Sequence, residues 1–246
     1  MAERIWDKFL TDRDKVFHEG RGFGAKAGFG KRPALLIIDV NYAFCGDKRE
    51  PIMDSVKRWP TSCGEEAWDA LPVLARVIDV ARGQGVPVIY TTGISRDDNW
   101  DKGSWLFKSS GRPPRAEPAT RQSNHDGDEI MPQIAPGPRD IVVPKQKPSG
   151  FHGTNLLSYL TMLQCDSVIV AGTTTSGCVR GTVIDSFSFN FRTAVIEDGC
   201  FDRAQASHAI NLFDMHAKYA DVVKSDEVIA FLRSLPQQMF DLPPGA

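Results

Sequence analysis

The sequence predicts an α/β fold of three layers, with helices on both faces of a doubly wound sheet of about six parallel strands. Short apolar runs alternate with longer stretches whose apolar residues recur at helical spacing. The chain has 246 residues, 41% hydrophobic and 24% charged, and is long enough for one large domain with a sizeable core. We expect this domain over residues 31–235, after an N-terminal helix and arm (1–30) and before a C-terminal tail (236–246).

Six runs are predicted as strands because each is short and dominated by apolar, often β-branched residues. The first, residues 34–40, is continuously apolar except at Asp39, as is typical of a parallel strand covered on both faces. The others are 86–91, 140–143, 167–171, 193–197 and 221–223.

Four stretches between the strands and one after the last strand are predicted as helices. Residues 65–84 carry apolar side chains at helical spacing, and the glycines Gly83 and Gly85 close the pattern. The others are 154–163, 178–191, 203–219 and 225–234, with Thr154 and Ser225 as the N-terminal caps of the second and the last helix.

Residues 92–139 form the longest stretch without a predicted element, and they are rich in proline, glycine, aspartate, arginine and serine. A loop of this length in a compact domain is usually functional, so we expect a lid or binding loop that largely sets substrate specificity. Its two tryptophans, Trp100 and Trp105, either wall the pocket or belong to the core or a subunit contact.

Composition argues against several classes of protein. The net charge of −2 gives no electrostatic footprint for nucleic acid or a membrane surface. No apolar run approaches the roughly 20 residues of a membrane span, and the N-terminus lacks the apolar segment of a signal peptide. Five scattered cysteines without metal-site spacing indicate a reducing, cytoplasmic setting. The Gly-Phe-Gly repeats before residue 31 follow no strand, so we expect no dinucleotide cofactor, nor any other cofactor.

Three reactive side chains follow predicted strands, at the edge where doubly wound sheets bind ligands. Asp39 ends the first strand, Lys145 follows the third and Cys178 follows the fourth. A thiol at a helix N-terminus and near a lysine is expected to have a lowered pKa and to act as a nucleophile, with the carboxylate as its base. The alternatives are a packing cysteine, a carboxylate that ties down a loop, and a surface lysine; Lys147 would point to the same face as Lys145.

Four motifs then carry a resemblance to a known family. They are Arg32-Pro-Ala-Leu-Leu-Ile-Ile-Asp39, Lys145-Gln-Lys-Pro-Ser149-Gly-Phe151, the turn Gly172-Thr-Thr-Thr-Ser-Gly-Cys178-Val-Arg180, and Asp202-Arg203. Through them the chain resembles the isochorismatase-like cysteine hydrolases over residues 20–235, and within that family most closely the amidases of N-carbamoylsarcosine. The family's lysine is followed by a serine at the fourth position and an aromatic residue at the sixth, which selects Lys145 over Lys147.

The resemblance implies hydrolysis of a linear amide or carbamoyl C–N bond in a small, carboxylate-bearing molecule, through a thioester and with release of ammonia. Cys178 would be the nucleophile, Asp39 the base and Lys145 the cation. The backbone N–H groups of Thr174 and Cys178 would form the oxyanion hole, next to a cis peptide bond between Thr173 and Thr174. Isochorismatases that cleave a vinyl ether lack this cysteine, so its presence favours C–N cleavage.

The resemblance also indicates the residues that would hold the substrate. Arg203 would bind its carboxylate, against the alternative of a surface ion pair. The candidate contacts beside it are Thr173, Thr174, Phe151 and Trp105, of which the two aromatic residues could equally pack elsewhere. A homo-oligomer, a tetramer or a dimer, is implied as well, with the N-terminal arm as a plausible contact.

Several alternatives stay open. Maleamate-like, ureido-acid and nicotinamide-type amides suit the same machinery, and so does a non-catalytic binding protein on this fold. A Cys–His pair is the mechanistic rival, for which His152 is the nearest candidate, whereas His208 and His216 are expected to pack or face solvent. The Asp-x-His motif of metal-dependent relatives is absent from residues 43–70. We therefore expect no catalytic metal and interpret His125 as a polar loop residue.

Overall fold

One sheet of parallel strands forms the centre of the fold. The structure is a computed structural model that describes residues 4–94, 96, 98, 100–108 and 123–245. Six strands occur in these ranges, and all their pairings are parallel in the order β3-β2-β1-β4-β5-β6. They are β1 Pro33–Ile38, β2 Val88–Gly93, β3 Ile141–Lys145, β4 Ser167–Thr173, β5 Arg192–Phe201 and β6 Asp221–Val223. The predicted doubly wound sheet is confirmed.

Helices lie on both faces of this sheet, which gives the predicted three layers. They are α1 Asp12–Arg21, α2 Tyr42–Cys45, α3 Ile52–Ser55, α4 Glu65–Gly83, α5 Ser104–Lys108, α6 Leu156–Met162, α7 Arg180–Ser188, α8 Gln205–Lys218 and α9 Ser225–Ser234. Helices α4 and α9 contribute to one hydrophobic core and helices α6, α7 and α8 to the other. Strand β1 supplies both cores, because Leu35 and Ile37 point to the first while Leu36 and Ile38 point to the second. None of the helices in the described ranges is long and apolar enough to cross a membrane.

The long loop after β2 contains more structure than its sequence predicted. Helix α5 and the single-turn helices Trp100–Lys102 and Pro132–Ile134 lie within it. Residues 109–122 of this loop fall outside the described residues. The short helices α2 and α3 were also not predicted, because four residues are too few to show helical spacing.

The two predicted helix caps have different outcomes. The predicted cap at Thr154 is one residue early, since Asn155 holds the cap position of α6. The Thr154 hydroxyl nevertheless accepts a hydrogen bond from the N–H of Leu156, the first residue of this helix, at 3.1 Å. The prediction for Ser225 is wrong. Its N–H and its hydroxyl both donate to the carboxylate of Asp198, at 2.8 and 2.7 Å, so this side chain is not available to cap α9.

Gly172 brings β4 close to β1 beside the predicted site. Its φ of +110° is a conformation that residues with a Cβ rarely adopt. A Cβ built here would lie 2.2 Å from the carbonyl oxygen of Ile38, the paired residue on β1. The close approach of the two strand ends therefore requires glycine.

We expect Gly172→Ala to lower the free energy of unfolding by about 2–5 kcal/mol, because it combines backbone strain with overpacking. The matched control is Gly83→Ala at the end of α4, where a Cβ meets nothing within 4 Å. That change should be neutral or stabilise by about 0.5–1 kcal/mol. Urea unfolding midpoints measure both, and similar midpoints for the two variants would contradict the packing argument.

Candidate active site

The ammonium group of Lys145 connects the three predicted reactive side chains. Its Nζ lies 2.7 Å from Oδ2 of Asp39 and 3.4 Å from Sγ of Cys178, and it also donates to the carbonyl oxygen of Lys147 at 3.0 Å. Asp39 and Lys145 are 3% and 7% exposed, so solvent screens their interaction little. Lys147 points elsewhere, because its Nζ donates to the carbonyl oxygen of Lys102 at 3.4 Å.

Asp39 directly follows β1 in a left-handed conformation with φ +53°. Its N–H donates to the carbonyl oxygen of Thr91 at 3.1 Å and lies 3.2 Å from the Thr91 hydroxyl. That hydroxyl donates to Oδ1 of Asp39 at 2.7 Å, while Lys145 binds Oδ2. Both oxygens of the buried carboxylate therefore have partners, which a charge at this depth requires.

The electrostatics of the site keep the proton on sulphur. Burial raises the pKa of the Cys178 thiol to about 12, and the charge of Asp39 raises it further than Lys145 lowers it. The prediction of a lowered thiol pKa is therefore wrong for the resting site. Burial alone would lower the pKa of Lys145, but the charge of Asp39 and the hydrogen bonds to Asp39 and Cys178 outweigh it and raise that pKa. The Cys178 thiol thus lies beside the ion pair of Asp39 and Lys145.

Cys178 lies in a wide helical turn, Thr175–Val179, which precedes α7. Helical backbone thus begins at Thr175, three residues before the predicted start at Cys178, and α7 itself begins two residues after it. Asp202 anchors this turn, since its Oδ2 accepts hydrogen bonds from the N–H and the hydroxyl of Ser176 at 2.8 and 2.7 Å. The peptide bond between Thr173 and Thr174, just before the turn, is cis.

A buried threonine connects the turn Thr175–Val179, called the nucleophile turn after its candidate nucleophile Cys178, to the segment that follows Lys145. The hydroxyl of Thr182 donates to the carbonyl oxygen of Cys178 at 2.7 Å and accepts from the N–H of Gly150 at 2.9 Å. The ends of β3 and β4 are not adjacent in the sheet, so this bridge fixes the lysine segment relative to the sulphur.

Three of the histidines weighed in the sequence analysis, His208, His216 and His125, make contacts away from Cys178. Nδ1 of His208 shares a 2.7 Å hydrogen bond with the hydroxyl of Thr175, and burial lowers the pKa of this imidazole. His216 packs against Trp6, with ring centroids 5.5 Å apart and the rings tilted by 32°. His125 stacks on Tyr42 and hydrogen-bonds to Glu129, and His152 is exposed. Among the residues that the structure describes, no three metal-binding side chains cluster.

The chain between residues 33 and 227 matches the family model described as the isochorismatase domain. The chain belongs to the isochorismatase family. It is 34% identical to the N-carbamoylsarcosine amidase of Arthrobacter sp. over 228 residues, which are 90% of this chain and 79% of that protein. It is 29% identical to the maleamate amidohydrolase of Pseudomonas putida over 217 residues, 87% of this chain and 92% of the other.

A solved structure agrees with this assignment. The crystal structure of an N-carbamoylsarcosine amidase from Thermoplasma acidophilum superposes on this isochorismatase-family chain with a TM-score of 0.61 at 27% identity. It covers 79% of this chain and 97% of the other. The family and the hydrolase class predicted from the sequence are therefore confirmed.

The predicted substrate contacts of this family member have different surroundings. Arg203 follows β5 at the active edge, and its exposed guanidinium donates to the carbonyl oxygen of Thr61 at 2.9 Å. Thr173 is buried and donates to the carbonyl oxygen of Phe201. Phe151 packs in a core beside two other phenylalanines, with ring centroids 5.4 and 6.2 Å away, which is the packing role that its sequence left open.

The segment 100–108 contacts Gln146 and Lys147, the two residues that follow Lys145. The indole N–H of Trp105 donates to the carbonyl oxygen of Gln146 at 3.2 Å, and the side-chain amide of Gln146 donates to Asp101. Lys147 reaches the same segment at Lys102. Trp105 therefore lies next to the site, whereas Trp100 is 78% exposed.

Sequence reasoning missed the residues that hold the reactive groups in place. Thr91 and Thr182 carry no motif, and Asp202 was noted without a role. The signal for Thr91 was its position at the end of the second predicted strand, at the edge where the reactive side chains meet.

We expect Asp39→Asn to lower the pKa of Cys178, because the carboxylate charge that raises this pKa is removed while Lys145 remains. Alkylation of Cys178 by iodoacetamide at pH 8 should become about tenfold faster than in the wild type. Mass spectrometry of the labelled peptide measures the rate, with Cys178→Ser as the control for labelling at other thiols. Slower alkylation of the variant would contradict this account of the site.

Proposed function

We propose that this chain is a cysteine-dependent amidohydrolase that cleaves a linear amide or carbamoyl C–N bond of a small carboxylate-bearing molecule and releases ammonia. N-carbamoylsarcosine is the first substrate to test. The observation that carries the proposal is the buried contact of the Lys145 ammonium with both the Asp39 carboxylate and the Cys178 sulphur. The similarity to two amide-hydrolysing relatives supports the class of reaction.

Acylation begins with a proton transfer, because the resting thiol is protonated. Asp39 takes the proton from Cys178 as sulphur attacks the carbonyl carbon, and Lys145 stabilises the negative charge that develops on sulphur. The C–S bond forms while the carbonyl π electrons move to oxygen. When this oxyanion collapses, the C–N bond breaks, Asp39 returns its proton to the leaving nitrogen, and ammonia departs.

The developing oxyanion needs hydrogen-bond donors, for which the N–H groups of Thr174 and Cys178 are suited by their place in one turn. Two contacts hold this turn in place. Asp202 binds Ser176, and the hydroxyl of Thr175 donates to the carbonyl oxygen of Phe201 at 3.2 Å. Donors that are held before the reaction begins cost little reorganisation when charge appears.

Deacylation uses the same base. With ammonia gone, Asp39 is again a carboxylate and takes a proton from water as the water oxygen attacks the thioester carbonyl. The C–S bond then breaks and Cys178 recovers its proton. From a carbamoyl substrate the acyl-enzyme is a thiocarbamate, and its hydrolysis releases a carbamate that loses CO₂ to leave the amine.

Substrate selection rests on the rim of the site. Arg203 would bind the substrate carboxylate in a bidentate manner, with the carbonyl oxygen of Thr61 fixing one of its nitrogens. Trp105 would form a wall beside Lys145, and Thr173 and Thr174 would contact the substrate from the turn. Maleamate also carries an amide and a carboxylate, and the similarity to a maleamate amidohydrolase makes it the second candidate substrate.

We further propose that the protein works as a homo-oligomer of two or four copies in the cytoplasm. The N-terminal arm packs on its own domain, where Trp6 is buried and the N–H groups of Ala27 and Gly28 donate to Asp221. Val16 and Phe17 on α1 remain 71% and 52% exposed and are candidates for a contact between copies. Light scattering of the purified chain measures the size of the assembly directly.

We expect ammonia release from N-carbamoylsarcosine or maleamate, and Cys178→Ser should reduce it about 10³-fold or more, since the nucleophile is lost. The matched control is Cys165→Ser, which changes a half-buried thiol just before β4, at the opposite edge of the sheet. A coupled ammonia assay measures the rates, with ureido acids and nicotinamide as further substrates. No ammonia from any of these compounds, or full activity of Cys178→Ser, would refute the proposed function.

We expect Arg203→Met to raise KM for a carboxylate-bearing substrate about 10- to 100-fold with a smaller change in kcat, because a charged hydrogen-bond pair is lost. The comparison is an uncharged urea without the carboxylate, for which wild type and variant should be alike. Steady-state kinetics on both compounds make the test. An equal loss on both would assign Arg203 a structural role at Thr61 instead.

A further inference from the structure

Thr91 holds the candidate base from the strand next to it. It is 1% exposed, lies in β2 and pairs with Ile38, the last residue of β1. Its hydroxyl donates to Oδ1 of Asp39 at 2.7 Å and lies 3.2 Å from the N–H of the same residue, while its carbonyl oxygen accepts that N–H at 3.1 Å. Backbone and side chain of one threonine thus fix backbone and side chain of one aspartate.

We propose that Thr91 is a positioning residue for Asp39, which orients the carboxylate toward Cys178 and remains its hydrogen-bond partner in both protonation states. This inference rests on the proposed function, in which Asp39 accepts and returns a proton.

The hydroxyl of Thr91 donates in a fixed direction. The Thr91 oxygen is turned toward the Asp39 N–H, so its own proton is directed at the carboxylate. Lys145 binds the other oxygen at 2.7 Å. Two donors on opposite oxygens prevent rotation of the carboxylate and so keep it beside the sulphur, where the proton must move.

Thr91 can also remain a hydrogen-bond partner when Asp39 is protonated. An ammonium group can only donate hydrogen bonds, and Lys145 already donates to Asp39, Lys147 and Cys178. A hydroxyl both donates and accepts. When Asp39 carries the proton from the thiol, Thr91 is the partner of the two that can reverse its hydrogen bond and accept from the carboxylic acid. It therefore accommodates both states of the base without a rearrangement of the backbone.

Among the residues that the structure describes, the charged or titratable groups that face Asp39 are Lys145 from β3 and Cys178 from the turn after β4. The carboxylate of Asp128 lies against Gly93, the last residue of β2, which is two residues beyond Thr91. Because the Thr91 hydroxyl donates to the ionised carboxylate, its loss favours the protonated acid and moves the acid-side fall of activity to higher pH.

The test compares Thr91→Val, which keeps the shape and removes the hydroxyl, with Thr91→Ser, which keeps the hydroxyl. The matched control is Thr193→Val. Thr193 is also a buried strand threonine, 2% exposed, with a 2.7 Å hydrogen bond to the hydroxyl of Ser186, but it lies at the other end of the sheet. Thermal melts of all variants show whether the fold is kept, and Thr91→Ala replaces Thr91→Val if that variant does not fold.

In the ammonia assay, Thr91→Val should lower kcat about 10- to 100-fold with little change in KM, and should raise the acid-side midpoint of kcat/KM by about one pH unit. Thr91→Ser should restore both quantities to within about threefold and a few tenths of a pH unit. Thr193→Val should match the wild type. Superposable pH profiles for Thr91→Val and wild type, failure of serine to restore the rate, or an equal loss in Thr193→Val would overturn the proposal.

A measurement without substrate separates this proposal from the proposed function. The protonation of Asp39 is followed against pH by infrared difference spectroscopy in the same variants, with Asp39→Asn identifying its carboxyl band, and the midpoint should rise in Thr91→Val alone. If no amide yields ammonia but this midpoint moves, the proposed function fails and the role of Thr91 stands. If ammonia is released but neither midpoint moves, the role of Thr91 fails and the proposed function stands.

Discussion

The ammonium group of Lys145, buried between a carboxylate and a sulphur, is the contact on which the site depends. Without the lysine, Asp39 would be an unpaired charge at a depth where an ion is costly. Without Asp39, burial would favour loss of the lysine proton. The pair keeps both charges stable in the absence of substrate. Burial and the charge of Asp39 together raise the pKa of the Cys178 thiol, against the opposing effect of Lys145.

The sheet order explains how these groups meet. Strand β1 is central, and its neighbours β2 and β4 bring Thr91 and the nucleophile turn to either side of Asp39. Strand β3 lies one position farther, so Lys145 has to reach across the end of β2 to Asp39. The bridge through Thr182 compensates for this distance by tying the segment after β3 to the nucleophile turn.

The sequence predicted the parts of the site that follow from strand periodicity. Asp39 interrupts an apolar run, and Lys145 and Cys178 end or follow two others, so the rule for parallel strands brought them to one edge before any geometry was known. The pKa of Cys178 had the opposite direction from the one predicted, because it depends on burial and on the distance to Asp39. Neither quantity can be read from the identity of neighbouring residues.

The hydrogen bonds that depend on distant partners were also beyond the sequence. Ser225 has the residue type of a helix cap, yet Asp198 from β5 binds it, and only the folded chain brings these two together. Asp202 likewise reaches Ser176 across the space between β5 and the nucleophile turn. Local propensity predicts what a residue can do, whereas the tertiary fold decides which of several partners it meets.

The contacts between segment 100–108 and Gln146 and Lys147 bear on how such a site can diversify. The hydrogen bond from Trp105 to Gln146 joins the loop after β2 to the segment that follows Lys145. Because Gln146 is the next residue after Lys145, a substitution in this loop segment acts on residues directly beside the lysine. The loop segment and the residues after Lys145 are therefore coupled, and a change in one alters the hydrogen-bond partners of the other.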